Sequence, residues 1–170
     1  FLINLINNMN KTTKVVIGAV VLILIIGFAW YFNKNQQQAV DNKLTTIKIG
    51  FVAPLSGEAA SYGEFVVKSF KLAIEDYNNT HKNLNFEVIY EDGKCDGAQA
   101  VTALNKLINI DKVQYVVGGF CSTETLAMAP IDESNKIILF TPGSTSPNIT
   151  NAGDYIFRNY PSDSFLGAKV

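Results

Sequence analysis

The sequence has few of the residues that build metal and cofactor sites. Two cysteines and one histidine occur among 170 residues, too few for a four-ligand zinc cage or an iron–sulfur cluster. Its 14 basic and 15 acidic residues leave a net charge of −1, which gives no indication of the clustered basic face that nucleic-acid binding needs. No local signature of a heme or flavin site occurs either. We therefore expect no metal, no cofactor and no nucleic-acid partner.

One long hydrophobic run lies near the N-terminus. Residues 15–32 carry no charge, and about 18 apolar residues are at the lower limit of what spans a bilayer as a helix. Lys11 and Lys14 precede the run, and Trp30 and Tyr31 end it, as is typical of a membrane interface. A transmembrane signal-anchor and a cleaved signal peptide both fit this pattern. The anchor is preferred because the end of the run offers a poor cleavage site.

The run divides the chain into segments. Residues 1–14 are an N-terminal flank, residues 15–32 the signal-anchor or signal peptide, residues 33–43 a polar linker, and residues 44–170 a folded domain. The linker is rich in Gln and Asn without periodicity, which is typical of a tether between a membrane and a domain.

Short apolar runs alternate with helical periodicity in the folded domain. We expect strands at residues 47–54, 85–90, 113–117, 137–140 and 155–158, and helices at residues 61–79, 98–109 and 122–135. Strands separated by helices form parallel βαβ units. The sequence therefore predicts an α/β fold with a doubly wound parallel sheet, preceded by one transmembrane or signal helix.

Loops rich in Gly, Ser and Thr leave three of the predicted strands, at residues 54–63, 118–123 and 141–147. In open α/β sheets, ligands bind outside the carboxyl ends of the strands. Ser122 and Thr123 also lie at a predicted helix N-terminus, which favours a carboxylate. The loops therefore suit a small zwitterion. Two alternatives are open: Ser122 or Thr123 could simply cap the helix, and the loop at residues 141–147 could be only a turn.

The stretch IKIGFVAPLSGEAASYGEFVVKSFKLAIEDYN, residues 47–78, closely resembles the opening of type 1 periplasmic solute-binding proteins. The resemblance is in particular to the branched-chain amino-acid (Leu/Ile/Val) binding family of ABC importers. GGFCSTETLAMAP and TPGSTSPNIT, residues 118–130 and 141–150, are similar to two further loops of that family. The resemblance covers about residues 47–170. It implies the N-terminal lobe of a two-lobed protein, without the second lobe.

The resemblance also implies which residues contact a ligand. Ser122 matches a serine that binds the ligand carboxylate, and Gly143 matches a position whose backbone carbonyl accepts from the ligand ammonium. Thr145 matches a threonine that contacts both charged ends of the amino-acid ligand. Ser144 lies between Gly143 and Thr145. Tyr62 matches an aromatic residue that packs near the ligand side chain. The second lobe would supply the remaining contacts, including an acidic partner for the ammonium.

Cys95 and Cys121 follow the second and third predicted strands and so lie at the same edge of the sheet. The resemblance implies a disulfide between them, which an extracytoplasmic location permits. Two reduced thiols in a cytosolic protein are the alternative, and the N-terminal hydrophobic run disfavours it.

The function that the resemblance implies is amino-acid capture between two lobes and delivery to ABC permease subunits. The protein would act in the periplasm or at the cell surface, anchored to the membrane by its N-terminal helix, and would not be an enzyme. A ligand-binding ectodomain of a membrane sensor is the alternative. A thiol enzyme using Cys121 is disfavoured because no histidine accompanies that cysteine in the pattern.

Two other titratable positions are weak candidates for chemistry. Glu91 and Asp92 are adjacent on a strand and point to opposite faces, which argues against a carboxylate pair; Asp92 is expected to begin a loop. His81 lies in a polar turn and is expected to be solvated.

Overall fold

The structure, a computed structural model, describes residues 10–41 and 44–168. The chain divides into two compact units, Phe1–Lys43 and Leu44–Val170. Most of the predicted N-terminal flank, residues 1–9, lies outside the described residues.

The first unit contains helix α1 (Lys11–Asp41). Its residues 11–34 are apolar enough and long enough to cross a membrane, judged by length and composition, a test that a signal sequence also passes. The helix continues to Asp41 through most of the segment predicted as a polar linker, because Gln and Ala are good helix formers and an existing helix extends easily. The role of this segment as a tether stays a prediction.

The second unit alternates strands and helices. Its elements are β1 (Thr45–Ala53), α2 (Ala60–Thr80), β2 (Leu84–Asp92), α3 (Gly97–Asn109), β3 (Tyr115–Gly118), α4 (Ser122–Asn135), β4 (Ile138–Thr141), a 3-10 turn (Pro147–Asn151), β5 (Ile156–Arg158) and α5 (Asp163–Gly167). Every strand and helix predicted in this part of the chain is present, with ends displaced by at most two residues. The 3-10 turn and α5 are too short for periodicity to indicate them.

The five strands are all parallel, in the order β2-β1-β3-β4-β5. The predicted doubly wound α/β sheet is thereby confirmed. The strand order reverses between β1 and β3, and a crevice forms at such a switch point, outside the carboxyl ends of the strands. The fold therefore predicts a ligand site at the loops that follow β1, β3 and β4.

One face of the sheet is covered by α3 and α4. Alternate residues of the strands point to this face and meet the apolar stripes of the two helices. The resulting core consists of Val52, Ala100, Ala103, Leu104, Leu107, Val113, Val116, Met128, Ala129, Ile137, Leu139, Ile149 and Ile156. This core supports the loops from below.

The other face is covered by α2 where β1 and β2 lie. Phe51 packs against Phe70 and Tyr90, with ring centroids 4.9 and 5.4 Å away. Over β3, β4 and β5, large apolar side chains keep 36–49% of their surface exposed: Tyr115, Ile138, Phe140 and Phe157. An apolar hollow of about 430 Å³ runs beside α2 on this face.

Candidate functional site

The loop after β1 is held by a carboxylate at the end of β2. Asp92 accepts hydrogen bonds from the backbone N–H groups of Leu55 (2.9 Å) and Ser56 (3.3 Å), and from the Ser56 hydroxyl. Partial burial raises the pKa of Asp92, but these hydrogen bonds outweigh it and hold the pKa below its usual value. Asp92 therefore ends a strand and anchors a neighbouring loop, rather than beginning a loop as expected.

Helix α2 approaches the same loop very closely at Gly63. A Cβ at this buried position would lie 1.9 Å from the Pro54 carbonyl oxygen, so only glycine fits. The preceding residue, Tyr62, stays 61% exposed at the mouth of the crevice. Its ring stacks on Phe120, with centroids 6.0 Å apart and planes at 19°. The loops after β1 and β3 thus share an aromatic pair.

The chain turns sharply after β3 at two glycines. Gly118 and Gly119 have φ of +144° and +62°, conformations that favour glycine. The Gly119 carbonyl oxygen accepts hydrogen bonds from three hydroxyls, those of Thr125 (2.8 Å), Thr141 (2.7 Å) and Ser144 (2.6 Å). All three side chains are fully buried. These bonds join the loop after β3 to the loop after β4 beneath the surface.

Ser144 is one of those buried hydroxyls, and its side chain faces the interior of the protein. Its predicted contact with a ligand stays a prediction, and the geometry shows it to be a scaffold residue of the two loops. Two predicted contacts, Ser122 and Thr145, are instead partly exposed.

Ser122 is the first residue of α4 and bonds to the neighbouring loop. The residue that caps the helix is Cys121, so the alternative in which Ser122 or Thr123 serves as the cap is wrong. Instead, the Ser122 Oγ accepts from the backbone N–H groups of Thr145 (3.2 Å) and Ser146 (3.1 Å). Because the Ser122 hydroxyl does not cap the helix, its proton is available to another acceptor at the edge of the sheet.

Gly143 and Thr145 lie beside Ser122. A Cβ on Gly143 would come within 2.7 Å of the Phe120 ring, so this loop also requires glycine.

Thr145 is held in place by Asp163 and Arg158, two residues that the sequence motifs do not indicate. Its hydroxyl donates to Asp163 Oδ2 (2.9 Å), its carbonyl oxygen accepts from Asp163 N (2.9 Å), and Arg158 donates to the next carbonyl, that of Ser146 (2.8 Å). No local pattern links these residues, because only the return of the chain through β5 brings them together.

The predicted disulfide between Cys95 and Cys121 is present, with the two Cα atoms 5.3 Å apart. The fully buried Glu124 reinforces it by accepting from the backbone N–H groups of Cys95 (3.1 Å) and Cys121 (3.0 Å). Burial raises the pKa of Glu124 above its usual value despite these bonds. A glutamate three residues after a capping position is the pattern of a capping box, the one sequence signal for this residue.

Cys95, Cys121 and Glu124 also place possible metal-ligand atoms within 4.8 Å of one another. The thiolate is the form of cysteine that binds metals, and both sulfurs are used in the disulfide. The group therefore suits a covalent clamp and not a metal ion.

The edge of the sheet thus brings together four of the predicted ligand contacts. Ser122, Gly143 and Thr145 are neighbours, and Tyr62 lies on the rim above Phe120. The arrangement offers a hydroxyl, a backbone carbonyl and an apolar wall. Hollows of about 680 and 430 Å³ lie elsewhere, at the amino ends of the strands and on the sheet face.

Comparison with known proteins places this chain among solute-binding proteins. A family model described as periplasmic binding protein matches residues 46–169. The leucine-, isoleucine-, valine-, threonine- and alanine-binding protein of Pseudomonas aeruginosa is 34% identical over 162 residues, which are 94% of this chain and 41% of that protein.

Two solved structures illustrate the range of ligands among similar proteins. The branched-chain amino acid transporter substrate binding protein of Streptococcus pneumoniae, in complex with isoleucine, is 32% identical with a TM-score of 0.67, over 71% of this chain and 35% of that one. A solute binding protein of an ABC transporter from Rhodopseudomonas palustris, in complex with 3,4-dihydroxybenzoic acid, is 27% identical with a TM-score of 0.65, over 69% and 32%. This chain spans about a third to two fifths of the length of these proteins.

Proposed function

The chain belongs to the periplasmic binding protein family, and on that premise we propose that it captures an aliphatic α-amino acid for an ABC importer. The resemblance to branched-chain amino-acid binding proteins seen in the sequence is confirmed. The observation that carries the proposal is the grouping of Ser122, Gly143 and Thr145 at the carboxyl ends of β3 and β4, beside the switch point of the sheet.

The ligand carboxylate would bind at Ser122. This residue lies at the N-terminus of a helix of 14 residues, where the free N–H groups and the helix dipole favour a negative charge. Its hydroxyl oxygen already accepts two backbone N–H groups, so its proton is free to be donated. A carboxylate is the natural acceptor for it.

The ligand ammonium would bind at Gly143. Among residues 44–168, no donor is hydrogen-bonded to the Gly143 carbonyl oxygen. An ammonium group carries three donors and no acceptor. The carbonyl therefore offers it a partner in the loop that is hydrogen-bonded to Ser122.

The ligand side chain would pack against Tyr62 and Phe120. The stacked pair presents apolar ring surface at the mouth of the crevice, and the cation–π contacts of the described residues involve the rings of Trp30 and Tyr90 instead. An aliphatic side chain that covers this surface makes binding more favourable by roughly 25 cal/mol for each Å² of apolar surface removed from water. Leucine or isoleucine therefore suits the site better than a charged amino acid.

The second half of the binding site would come from another lobe, which closes on the ligand by a hinge movement and is then recognised by permease subunits. Binding without turnover accounts for the site, so we propose no enzymatic activity. The apolar part of α1 would anchor the protein outside the cytoplasm. The same helix fits the ectodomain of a membrane sensor, for which the amino-acid site would be unchanged.

Calorimetry on the full-length protein tests this function. The titration panel contains leucine, isoleucine, glutamate and 3,4-dihydroxybenzoate. We expect saturable binding of leucine and isoleucine, with little or none for the other two. Binding of the aromatic acid without binding of any amino acid would refute the proposal. Leucine uptake in vesicles carrying the permease then distinguishes an importer from a sensor.

A further inference from the structure

Three Asn-X-Ser/Thr tripeptides with X other than proline occur in the chain, and they begin at Asn10, Asn78 and Asn148. This tripeptide is the acceptor motif for N-linked glycans in exported proteins, in which a sugar is bonded to the asparagine amide. So short a motif also recurs by chance. The surroundings of each asparagine therefore decide which of the three can carry a sugar in the folded protein.

The side chain of Asn78 is occupied by the fold. Its Oδ1 accepts from the backbone N–H of Phe86 at 2.8 Å, and its Nδ2 donates to the Phe86 carbonyl at 2.9 Å. Because a substituted amide is trans, a sugar on Nδ2 lies on the same side as Oδ1, which is the side that faces Phe86. The native contacts between α2 and β2 therefore exclude a glycan at Asn78.

Asn10 is also engaged, at the start of α1. Its Oδ1 accepts from the backbone N–H of Thr13 at 2.8 Å and from the Thr13 hydroxyl at 2.6 Å, as the side chain of an N-cap residue does. Lys11 and Lys14 follow it directly, and basic residues beside an apolar span are typical of its cytoplasmic side. An anchor in that orientation keeps Asn10 away from exported domains.

Asn148 has neither constraint. It is exposed on the 3-10 turn, and in the part of the chain that the structure describes its side-chain amide has no hydrogen-bond partner. Thr150 is exposed as well, and its hydroxyl oxygen accepts from Arg158 at 2.6 Å, which leaves its proton available. Ile149 between them is 3% exposed and packs in the core. The turn therefore presents both polar side chains of the motif to solvent.

We propose that Asn148 carries an N-linked glycan, transferred from a lipid-linked oligosaccharide by an oligosaccharyltransferase. Nδ2 of Asn148 forms a bond to C1 of the first sugar, and the bond between C1 and the phosphate oxygen of the lipid carrier breaks. The electron pair of that bond leaves with the phosphate, which takes up the proton that Nδ2 loses, so no oxidant or reductant is needed. The modification goes beyond the proposed amino-acid function and shares with it only the location outside the cytoplasm.

Mass spectrometry of the full-length protein from its native cells tests the proposal. We expect a mass increase of one oligosaccharide, located by fragmentation to Asn148, with Asn10 and Asn78 unmodified. Asn148→Gln and Thr150→Val, expressed in the same cells, should each lose this increase. Thr150→Ser keeps the motif and should retain it. Asn151→Gln is the matched control, because Asn151 is an exposed asparagine of the same turn outside any motif, and it should also retain the increase.

An unmodified Asn148 in the native protein would overturn the proposal, as would a glycan that persists in Asn148→Gln. A glycan on Asn78 would contradict the structural selection among the three motifs. Thr150→Val also removes the bond from Arg158, so retention in Thr150→Ser together with loss in Asn148→Gln assigns the loss to the motif. Leucine calorimetry on the same preparation separates the two proposals. An unmodified protein that binds leucine defeats only the glycan, whereas a glycosylated protein that binds no amino acid defeats only the proposed function.

Discussion

At the scale of single residues, buried carboxyl groups serve different purposes in this fold. Glu124 accepts two backbone N–H groups beside the disulfide, whereas Asp132, fully buried on α4, has no hydrogen-bond partner for either carboxyl oxygen among the described residues. Burial, and after it the charge of Glu133, raise the pKa of Asp132 to about 8. The folded protein therefore holds a proton on Asp132 at pH values where the unfolded chain has released it.

This proton makes stability depend on pH. Between the ordinary pKa of 3.8 and about 8, the folded state binds more protons than the unfolded state, so the free energy of unfolding falls as pH rises. The fall from this group is at most about 1.4 kcal/mol per pH unit. Asp132→Asn removes the titration, and urea unfolding between pH 5 and pH 8 should show a shallower dependence than in the wild type.

Part of the slope should remain in Asp132→Asn, because burial also raises the pKa of Glu124. Asp154→Asn, an exposed position in a loop, is the control and should follow the wild type. Equal slopes for wild type and Asp132→Asn would show that Asp132 is ionised in the folded protein.

Ser122, Gly143 and Thr145 could be predicted as ligand contacts from short motifs, since each lies within a recognisable loop. Asp163 and Asp92 were not identified as loop anchors, because their partners lie 18 and 37 residues away in the sequence. Such pairs depend on which strands become neighbours. One sequence without an alignment gives no measure of that.

At the scale of elements, the loops after β2 and β3 are joined by a covalent clamp, the disulfide between Cys95 and Cys121. Lys94 and Cys95 both adopt the left-handed conformation, with φ of 55° and 58°, which side chains other than glycine adopt rarely. The disulfide to Cys121 and the bond to Glu124 hold Cys95 in that conformation. The β2–α3 loop is thereby fixed to the start of α4, next to Ser122.

The disulfide closes a loop of 26 residues, so removing it should lower the free energy of unfolding by on the order of 3 kcal/mol. We expect a Cys95→Ser, Cys121→Ser double variant to unfold at lower urea concentration than the oxidised wild type. A reducing agent should destabilise the wild type and leave the variant unchanged. Maleimide labelling of both cysteines in exported native protein would rule the bond out.

Elements were largely predictable because hydrophobic periodicity has a physical cause. Alternate residues of a strand face one layer, and residues three and four apart on a helix face its packing surface. The ends of β3 and β4 were displaced by one or two residues because Val113 and Ile137 are buried just before their strands begin. An apolar run in the sequence indicates buried residues, but a buried residue need not pair with a neighbouring strand. The run can therefore begin before the strand does.

At the scale of the whole molecule, the second unit has one open apolar face. Parallel sheets are ordinarily covered on both sides, yet β3, β4 and β5 expose large side chains beside α2. The sequence does not reveal this, because a strand that is to be covered on both sides and one left open have the same composition. An exposed apolar patch favours association.

We expect an isolated Leu44–Val170 unit to self-associate through this face. Changing Ile138→Thr and Phe140→Ser together should lower its sedimentation coefficient at high concentration, because both side chains lie on the exposed side of β4. Leu72→Ser is the control, since that side chain is 69% exposed on α2 and does not line the hollow beside the sheet. An equal effect of the two changes would place the association elsewhere.

Leucine titration of the full-length Ser122→Ala variant is the most direct test of the account. The hydroxyl of Ser122 is the donor proposed for the ligand carboxylate, so its loss should weaken leucine binding by about 1–3 kcal/mol relative to wild type. Ser134→Ala, an exposed serine at the other end of α4, should bind leucine as wild type does. The central claim would be contradicted if Ser122→Ala bound leucine with undiminished affinity.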